Sequence, residues 1–175
     1  KAAAEKKAKE EAEAKAAAEK KAKEEAEAKE WKNILQVKKP FVVRVQVLNL
    51  VGSGYIYDIA SDRSALILTN HHVIDANGPI SVSINNVSYD AERIHYDREY
   101  DLAVLKICCV YKSLNNNMES YSINVSDYGS EVIALGFPLG SSTVNITSGL
   151  VSTTKTMNNL KYIQTDTAIN PGNSG

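Results

Sequence analysis

An all-β domain of sandwich or barrel type, preceded by one long helix, is the fold class this sequence predicts, on three observations. Residues 1–30 consist of 12 Ala, 9 Lys and 9 Glu and of nothing else. From residue 41 the apolar residues recur at every second position, the period of a half-buried strand. The later apolar runs are short, are bounded mostly by Gly, Asn, Asp or Ser, and never alternate with helical stretches, which argues against a parallel sheet.

The helix comes first. KAAAEKKAKEEAEA at 1–14 is repeated letter for letter at 15–28. Ala, Lys and Glu are strong helix formers, and Lys1/Glu5, Glu5/Lys9, Lys6/Glu10, Lys7/Glu11 and Lys20/Glu24 stand four apart with opposite charge. Each such pair contributes about 0.2–0.5 kcal/mol. A coiled coil needs sustained apolar a and d positions, and here Ala4, Ala8, Ala12 and Ala16 offer the one weak stripe. Residues 1–33 are therefore expected to be a solvated helix serving as a spacer or stalk, without chemistry of its own.

The strands follow from Val43, Val45 and Val47 on one face, with Arg44 and Gln46 on the other. Further runs are expected at Tyr55–Tyr57, Ala65–Thr69, Ile80–Ile84 and Val87–Asp90 around an Asn85-Asn86 turn. Others fall at Leu102–Val110, Val132–Leu135, Thr143–Thr147, Leu150–Thr154 and Tyr162–Thr165. Periodicity alone does not choose between sandwich and barrel.

Charge and cysteine narrow the function. With the nine Lys and nine Glu of the helix set aside from 20 basic and 21 acidic residues, the domain holds 11 against 12. That balance lacks the basic excess of a phosphate-binding protein, so nucleic acid is not an expected partner. No run of about 18 apolar residues exists to span a bilayer. Cys108 and Cys109 are adjacent, with α-carbons about 3.8 Å apart, outside the usual disulfide window. They are expected to be small core hydrophobes on a strand.

Three places carry chemistry: Thr69-Asn70-His71-His72-Val73, Tyr100-Asp101-Leu102-Ala103-Val104, and Asn170-Pro171-Gly172-Asn173-Ser174-Gly175. Their order is His, Asp, Ser. Acyl transfer by serine needs a base to take the hydroxyl proton, a carboxylate to fix the tautomer of that base, and N–H groups to hold the oxyanion. Gly172 has no side chain to obstruct a substrate carbonyl and lets the N–H groups of Gly172 and Ser174 point inward. On the residues alone, Asp90, Asp97 and Asp101 are all candidates for the carboxylate.

The chain resembles the HtrA/Deg branch of the trypsin-like serine proteases. The likeness rests on six blocks in order over about 125 residues: Gly52-Ser53-Gly54; Thr69–Val73; Asp101–Ile107; Ala134-Leu135-Gly136-Phe137-Pro138-Leu139-Gly140; Thr147–Ser152; and Gln164-Thr165-Asp166 leading into Asn170–Gly175. The spacings are 29 residues from His72 to Asp101 and 73 from Asp101 to Ser174. The resemblance implies a double Greek-key β-barrel over 34–175, with the second barrel truncated. It makes His72 the general base, Asp101 its orienting carboxylate and Ser174 the nucleophile. Gly172 and Ser174 supply the oxyanion N–H groups, and no metal or cofactor is needed. His71 is then a strand-end residue facing the other side, and His95 a surface histidine.

Further expectations follow at matched positions. Asn173 stands where cleavage-activated relatives carry an Asp, so activation by N-terminal trimming is unnecessary. Ala168, with Ile169 beside it, falls at the base of the specificity pocket and implies a preference for small aliphatic side chains. In the family the chain continues past Ser-Gly into further strands and often a PDZ domain. Residues 1–175 are thus expected to lack a wall of the cleft, to be inactive alone and to be poorly folded in the C-terminal half. Asn86, Asn124 and Asn145 open Asn-x-Ser/Thr triplets, read as coincidental in an Asn- and Ser-rich chain.

The reading is a serine endopeptidase acting on polypeptides, those of unfolded or misfolded proteins by family resemblance. Resemblance also suggests a homo-oligomer, a trimer in many relatives, and a cell-envelope, periplasmic or secreted location. The rival is a peptide-binding or chaperone-like module on a protease scaffold with weak or regulated catalysis. Intact His72, Asp101 and Ser174 argue against it.

Overall fold

The computed structural model describes residues 2–110, 128–157 and 159–175, with side chains from residue 13 onward except 27. The charge pairs expected before Lys15 and the Asn124 triplet lie outside the described residues. Two compact units divide at Lys38/Lys39.

Helix α1, Ala2–Lys38, is about 55 Å long at 1.5 Å per residue. Its described repeat residues are exposed, and Lys15–Glu19, Lys20–Glu24 and Lys21–Glu25 pair at 3.8–4.0 Å. It passes at Lys39 into a 3-10 turn over Lys39–Phe41, where Pro40 has no N–H to continue the helical ladder. Among the described residues no helix is long and apolar enough to cross a membrane.

The second unit is built of strands β1 (Val42–Val47), β2 (Leu50–Ile59), β3 (Ala65–Thr69), β4 (Ile80–Ile84), β5 (Val87–Asp97), β6 (Leu102–Ile107), β7 (Glu131–Gly136), β8 (Asn145–Met157) and β9 (Leu160–Thr165). The first six close into an antiparallel barrel in the order β1-β2-β3-β6-β5-β4, and the rest form a three-stranded sheet in the order β7-β8-β9. The first of the two expected barrels is thus closed, and this sheet stands where a second, truncated one is expected.

Alternation fills the barrel. Val43, Val45 and Val47 are fully buried, as expected, and meet Ile56, Ile67, Val82, Leu105 and Ile107 in the interior. Val45 and Val43 stand opposite Gly52 and Gly54 of β2, so large side chains face none. A Cβ on Gly54 would come within 2.7 Å of Ile67. Asn85 and Asn86 both take positive φ in a two-residue turn between Ile84 and Val87, the geometry Asn tolerates best after Gly.

Several strands depart from expectation. β5 runs on to Asp97, paired with β6 from Ala91 onward; most of its side chains are solvent-exposed, so the sequence shows no two-residue period there. The runs at Thr143–Thr147 and Leu150–Thr154 are one strand, β8, whose first half pairs with β7 and whose second half pairs with β9. Gly149 does not break it. A side chain there would strike Asp166 and Thr167, so glycine lets the 166–167 turn cross the strand. Strand β6 stops at Ile107, and the cysteines are not core residues: both are exposed, Cys109 takes φ +64°, and their sulfurs are bonded to each other. The positive φ turns the chain out of the sheet, and Val110 returns its N–H to the carbonyl of Arg63.

Candidate active site

Strand pairing assembles the first half of the site. β3 and β6 are antiparallel neighbours with Thr69 opposite Ala103, so the residues after one and before the other meet at the same barrel end. His72 lies three beyond Thr69, in a single 3-10 turn over His71–Val73, and Asp101 lies two before Ala103. Asp101 is held at φ +52°, a left-handed conformation that Asp tolerates better than most residues.

Four hydrogen bonds fix Asp101 there. Its carbonyl accepts from Asn70 Nδ2 at 2.8 Å and from the N–H of His71 at 3.1 Å. Its carboxylate accepts from the N–H of His72 at 2.8 Å through Oδ1 and meets His72 Nδ1 at 2.6 Å through Oδ2. With the carboxylate ionised, Nδ1 carries the proton and Nε2 is left as the basic nitrogen. Partial burial, the largest single influence, pushes the Asp101 carboxyl up. The N–H and ring bonds of His72 and the charges of His72 and His71 outweigh it, holding the group below its ordinary value of 3.8.

The other candidates are engaged elsewhere. His71 is buried, with its ring beside Tyr96 at a centroid distance of 5.0 Å and its Nε2 3.5 Å from Asp75 Oδ1 without a hydrogen bond. It sits in the turn itself, not at a strand end, since β3 closes at Thr69. Asp97 spends Oδ1 on the N–H groups of Glu99 and Tyr100, which shapes the turn that presents Asp101. Asp90 and His95 are exposed on β5.

The turn carrying Ser174 is docked on β2. The N–H of Ser53 donates to the Ser174 carbonyl at 2.6 Å, and the Asn173 N–H donates to the Asn170 carbonyl at 3.0 Å. A Cβ on Gly52 would meet both methyls of Val73 at 2.5 and 2.6 Å and the Ser174 carbonyl at 3.0 Å. The residue after His72 and the backbone of Ser174 therefore converge on one glycine. Gly172 takes φ +98°, open to glycine and strained for any residue with a Cβ. Ala168 and Ile169 are exposed on the loop after β9, where the Ala168 carbonyl accepts from Thr147 Oγ1 at 2.9 Å. Among the described residues no three His, Cys, Asp or Glu side chains gather to hold a metal ion.

Two contributors are missing from the expected set. Asn70 holds Asp101 by its side chain, and Ser53 holds the 172–174 turn. Each sits inside a block already singled out, Asn70 directly after Thr69 and Ser53 between two glycines, but neither is a residue type that by itself signals catalysis.

A six-stranded antiparallel barrel with an Asp–His pair at one end and a Gly-x-Ser-Gly turn docked beside it defines a trypsin-like architecture, and the chain belongs to that family: the trypsin-like peptidase domain matches residues 52–175. Within it the relatives are of the HtrA/Do type. The chain is 38% identical over 141 residues to the serine protease Do-like HtrA of Lactococcus lactis subsp. lactis (strain IL1403), covering 73% of this chain and 34% of the relative. It is 38% identical over 133 residues to a probable periplasmic serine endoprotease DegP-like of Buchnera aphidicola subsp. Baizongia pistaciae (strain Bp), covering 71% of this chain and 27% of the relative. The chain thus spans about a third or less of the length of these curated relatives. The crystal structure of Deg5 superposes with a TM-score of 0.70 at 27% identity, over 85% of this chain and 78% of that one.

Proposed function

We propose that the protein is a serine endopeptidase in which Ser174 attacks, His72 moves the proton and Asp101 holds His72. The observation that carries the reading is the Asp101 carboxylate, bound through both oxygens to the backbone and ring of His72. Such a carboxylate fixes one tautomer of the base and stabilises the imidazolium that forms. We place the activity in residues 34–175, with residues 1–33, the greater part of helix α1, as a spacer.

In the mechanism, Ser174 Oγ bonds to the substrate carbonyl carbon as His72 Nε2 takes its proton. The N–H groups of Gly172 and Ser174 receive the developing oxyanion. The C–N bond breaks as the imidazolium returns the proton to the leaving amine. Water then gives a proton to His72 and its oxygen to the acyl carbon, and Ser174 leaves with that proton. Asp101 stays ionised throughout.

The finer reading rests on the match to HtrA and DegP-like relatives. Substrates are unfolded or misfolded polypeptides, cut after small aliphatic residues because Ala168 and Ile169 bring no charge to the pocket. The protein works in the cell envelope or as a secreted form, in keeping with a relative named periplasmic, and as a homo-oligomer, a trimer. Incubation of the intact protein with β-casein, followed by mass-spectrometric mapping of the ends produced, tests both levels. Internal cuts after Ala or Val that vanish in Ser174→Ala support the reading. Cuts after Lys or Arg contradict the pocket, and cuts that persist in Ser174→Ala contradict the nucleophile.

A further inference from the structure

We infer that Ser53 is the positioning residue of the oxyanion turn, an inference that rests on the reading of Gly172 and Ser174 as oxyanion donors. Ser53 is 2% exposed, in the middle of β2, on a strand of the first barrel. Its side chain serves the other half of the molecule. Ser53 Oγ donates to the Gly172 carbonyl at 2.7 Å and accepts from the Phe137 N–H at 3.0 Å. Its own N–H donates to the Ser174 carbonyl at 2.6 Å, and its carbonyl accepts from Thr69 Oγ1 at 2.7 Å. One buried residue is thus bonded to the turn that would hold the oxyanion, to the 137–140 turn beside it, and to the end of the strand leading to His72.

The consequence follows from the planarity of the peptide group. All described peptides are trans, so the carbonyl and the N–H of one unit point in opposite directions. The Pro171 carbonyl accepts from the Leu139 N–H at 2.7 Å, which aims the Gly172 N–H away from Leu139. The next unit is held at both ends, its Gly172 carbonyl by Ser53 Oγ and its Asn173 N–H by the Asn170 carbonyl. Those two anchored planes set the orientation of the Gly172 N–H on one side and of the unit carrying the Ser174 N–H on the other. Gly172, at φ +98°, is the softest joint between them. Without the Ser53 hydroxyl the Gly172 carbonyl loses its partner on β2, and the plane is held at one end alone, by the Asn173 N–H on the Asn170 carbonyl.

The hydrogen bonds of Ser53 go to the Gly172, Phe137 and Ser174 backbone and to Thr69 Oγ1, none of them to the Ser174 hydroxyl. Ser53 acts through the backbone, so its removal should slow the chemical step and leave ground-state binding alone. Loosening a donor by about 1 Å costs on the order of 100-fold in rate. The experiment is the concentration dependence of fluorophosphonate labelling of the intact protein, which separates the limiting rate from the half-saturating concentration. Wild type, Ser53→Ala and Val82→Ala are compared, each with its melting temperature. Val82 is fully buried on β4, away from the turn, and its truncation reports on lost stability alone. The expected result is a limiting rate reduced about 10- to 100-fold in Ser53→Ala with half-saturation within about twofold. Val82→Ala should melt earlier and label at the wild-type rate. A Ser53→Ala protein that labels within twofold of wild type, or whose rate falls no more than that of an equally destabilised Val82→Ala, overturns the assignment. A wild type that does not label at all overturns the reading of the site, and this assignment with it.

Discussion

His72 holds both oxygens of Asp101, Oδ1 through its backbone N–H at 2.8 Å and Oδ2 through Nδ1 at 2.6 Å. The carboxylate is therefore fixed by the same residue it orients. Neither group can rotate without breaking a bond to the other, and the pairing of β3 with β6 brings the two turns together at one barrel end.

Asp101→Asn should keep the fold and lose the chemistry. An amide can accept from the His72 N–H with its oxygen but turns an NH2 group toward Nδ1, which favours the wrong tautomer. A loss of about 10⁴-fold in the acylation rate is expected, the magnitude found when the equivalent exchange is made in a serine protease triad. Rapid-quench measurement of fluorophosphonate labelling checks it, and a loss below tenfold would contradict the role.

Acid should weaken the fold through the same carboxyl. Asp101 is held below its ordinary value in the folded chain, so its contribution is fully present above that value and is lost as pH falls through the folded one. Its side chain is 44% exposed, so solvent screening keeps the effect modest. Melting temperatures followed by circular dichroism from neutral pH to below 3.8 should fall less steeply in Asp101→Asn than in wild type. Parallel curves would show that the group does not contribute.

Gly52→Ala places a methyl against Val73 and the Ser174 carbonyl at once. The backbone carbonyl cannot swing aside as a side chain end can, so overpacking of about 1–3 kcal/mol is expected. Chemical denaturation measures it. Labelling should slow as well, because relief of the clash moves either the His72 turn or the Ser174 turn.

Gly172→Ala meets two obstacles, a φ of +98° and the Phe137 carbonyl directly in the path of a Cβ. The turn must change shape to admit it. We expect labelling to drop by about 100-fold or more, the scale of losing one oxyanion donor. The first barrel should retain its melting transition, since Gly172 lies outside it.

Much of the fold and site is readable in the sequence because the informative residues are short-range signals. Val43, Val45 and Val47 alternate cleanly and are buried as the alternation requires. Asp101 sits beside Leu102-Ala103-Val104, which announces a strand, and His72 follows the run that ends at Thr69, in the turn just beyond it. The failures have physical reasons. The period of β5 is hidden because Glu92, Arg93 and His95 are all exposed, so neither face is consistently apolar. Gly149 reads as a break, whereas it is kept by the crossing of Asp166 and Thr167. The cysteines follow an apolar strand and read as its continuation, but Cys109 leaves the sheet at φ +64°. Ser53 is invisible to any local rule, since its partners Phe137 and Gly172 lie 84 and 119 residues away.

The proposed chemistry stands or falls with Ser174 as a nucleophile activated by His72. Labelling of the intact protein with a fluorophosphonate, with peptide mapping of the adduct and with Ser174→Ala and His72→Ala as controls, decides it. One adduct, on Ser174, is expected in the wild type and none in either variant. A folded wild type that stays unlabelled, or an adduct on another residue, would contradict the assignment and favour a binding module on a protease scaffold.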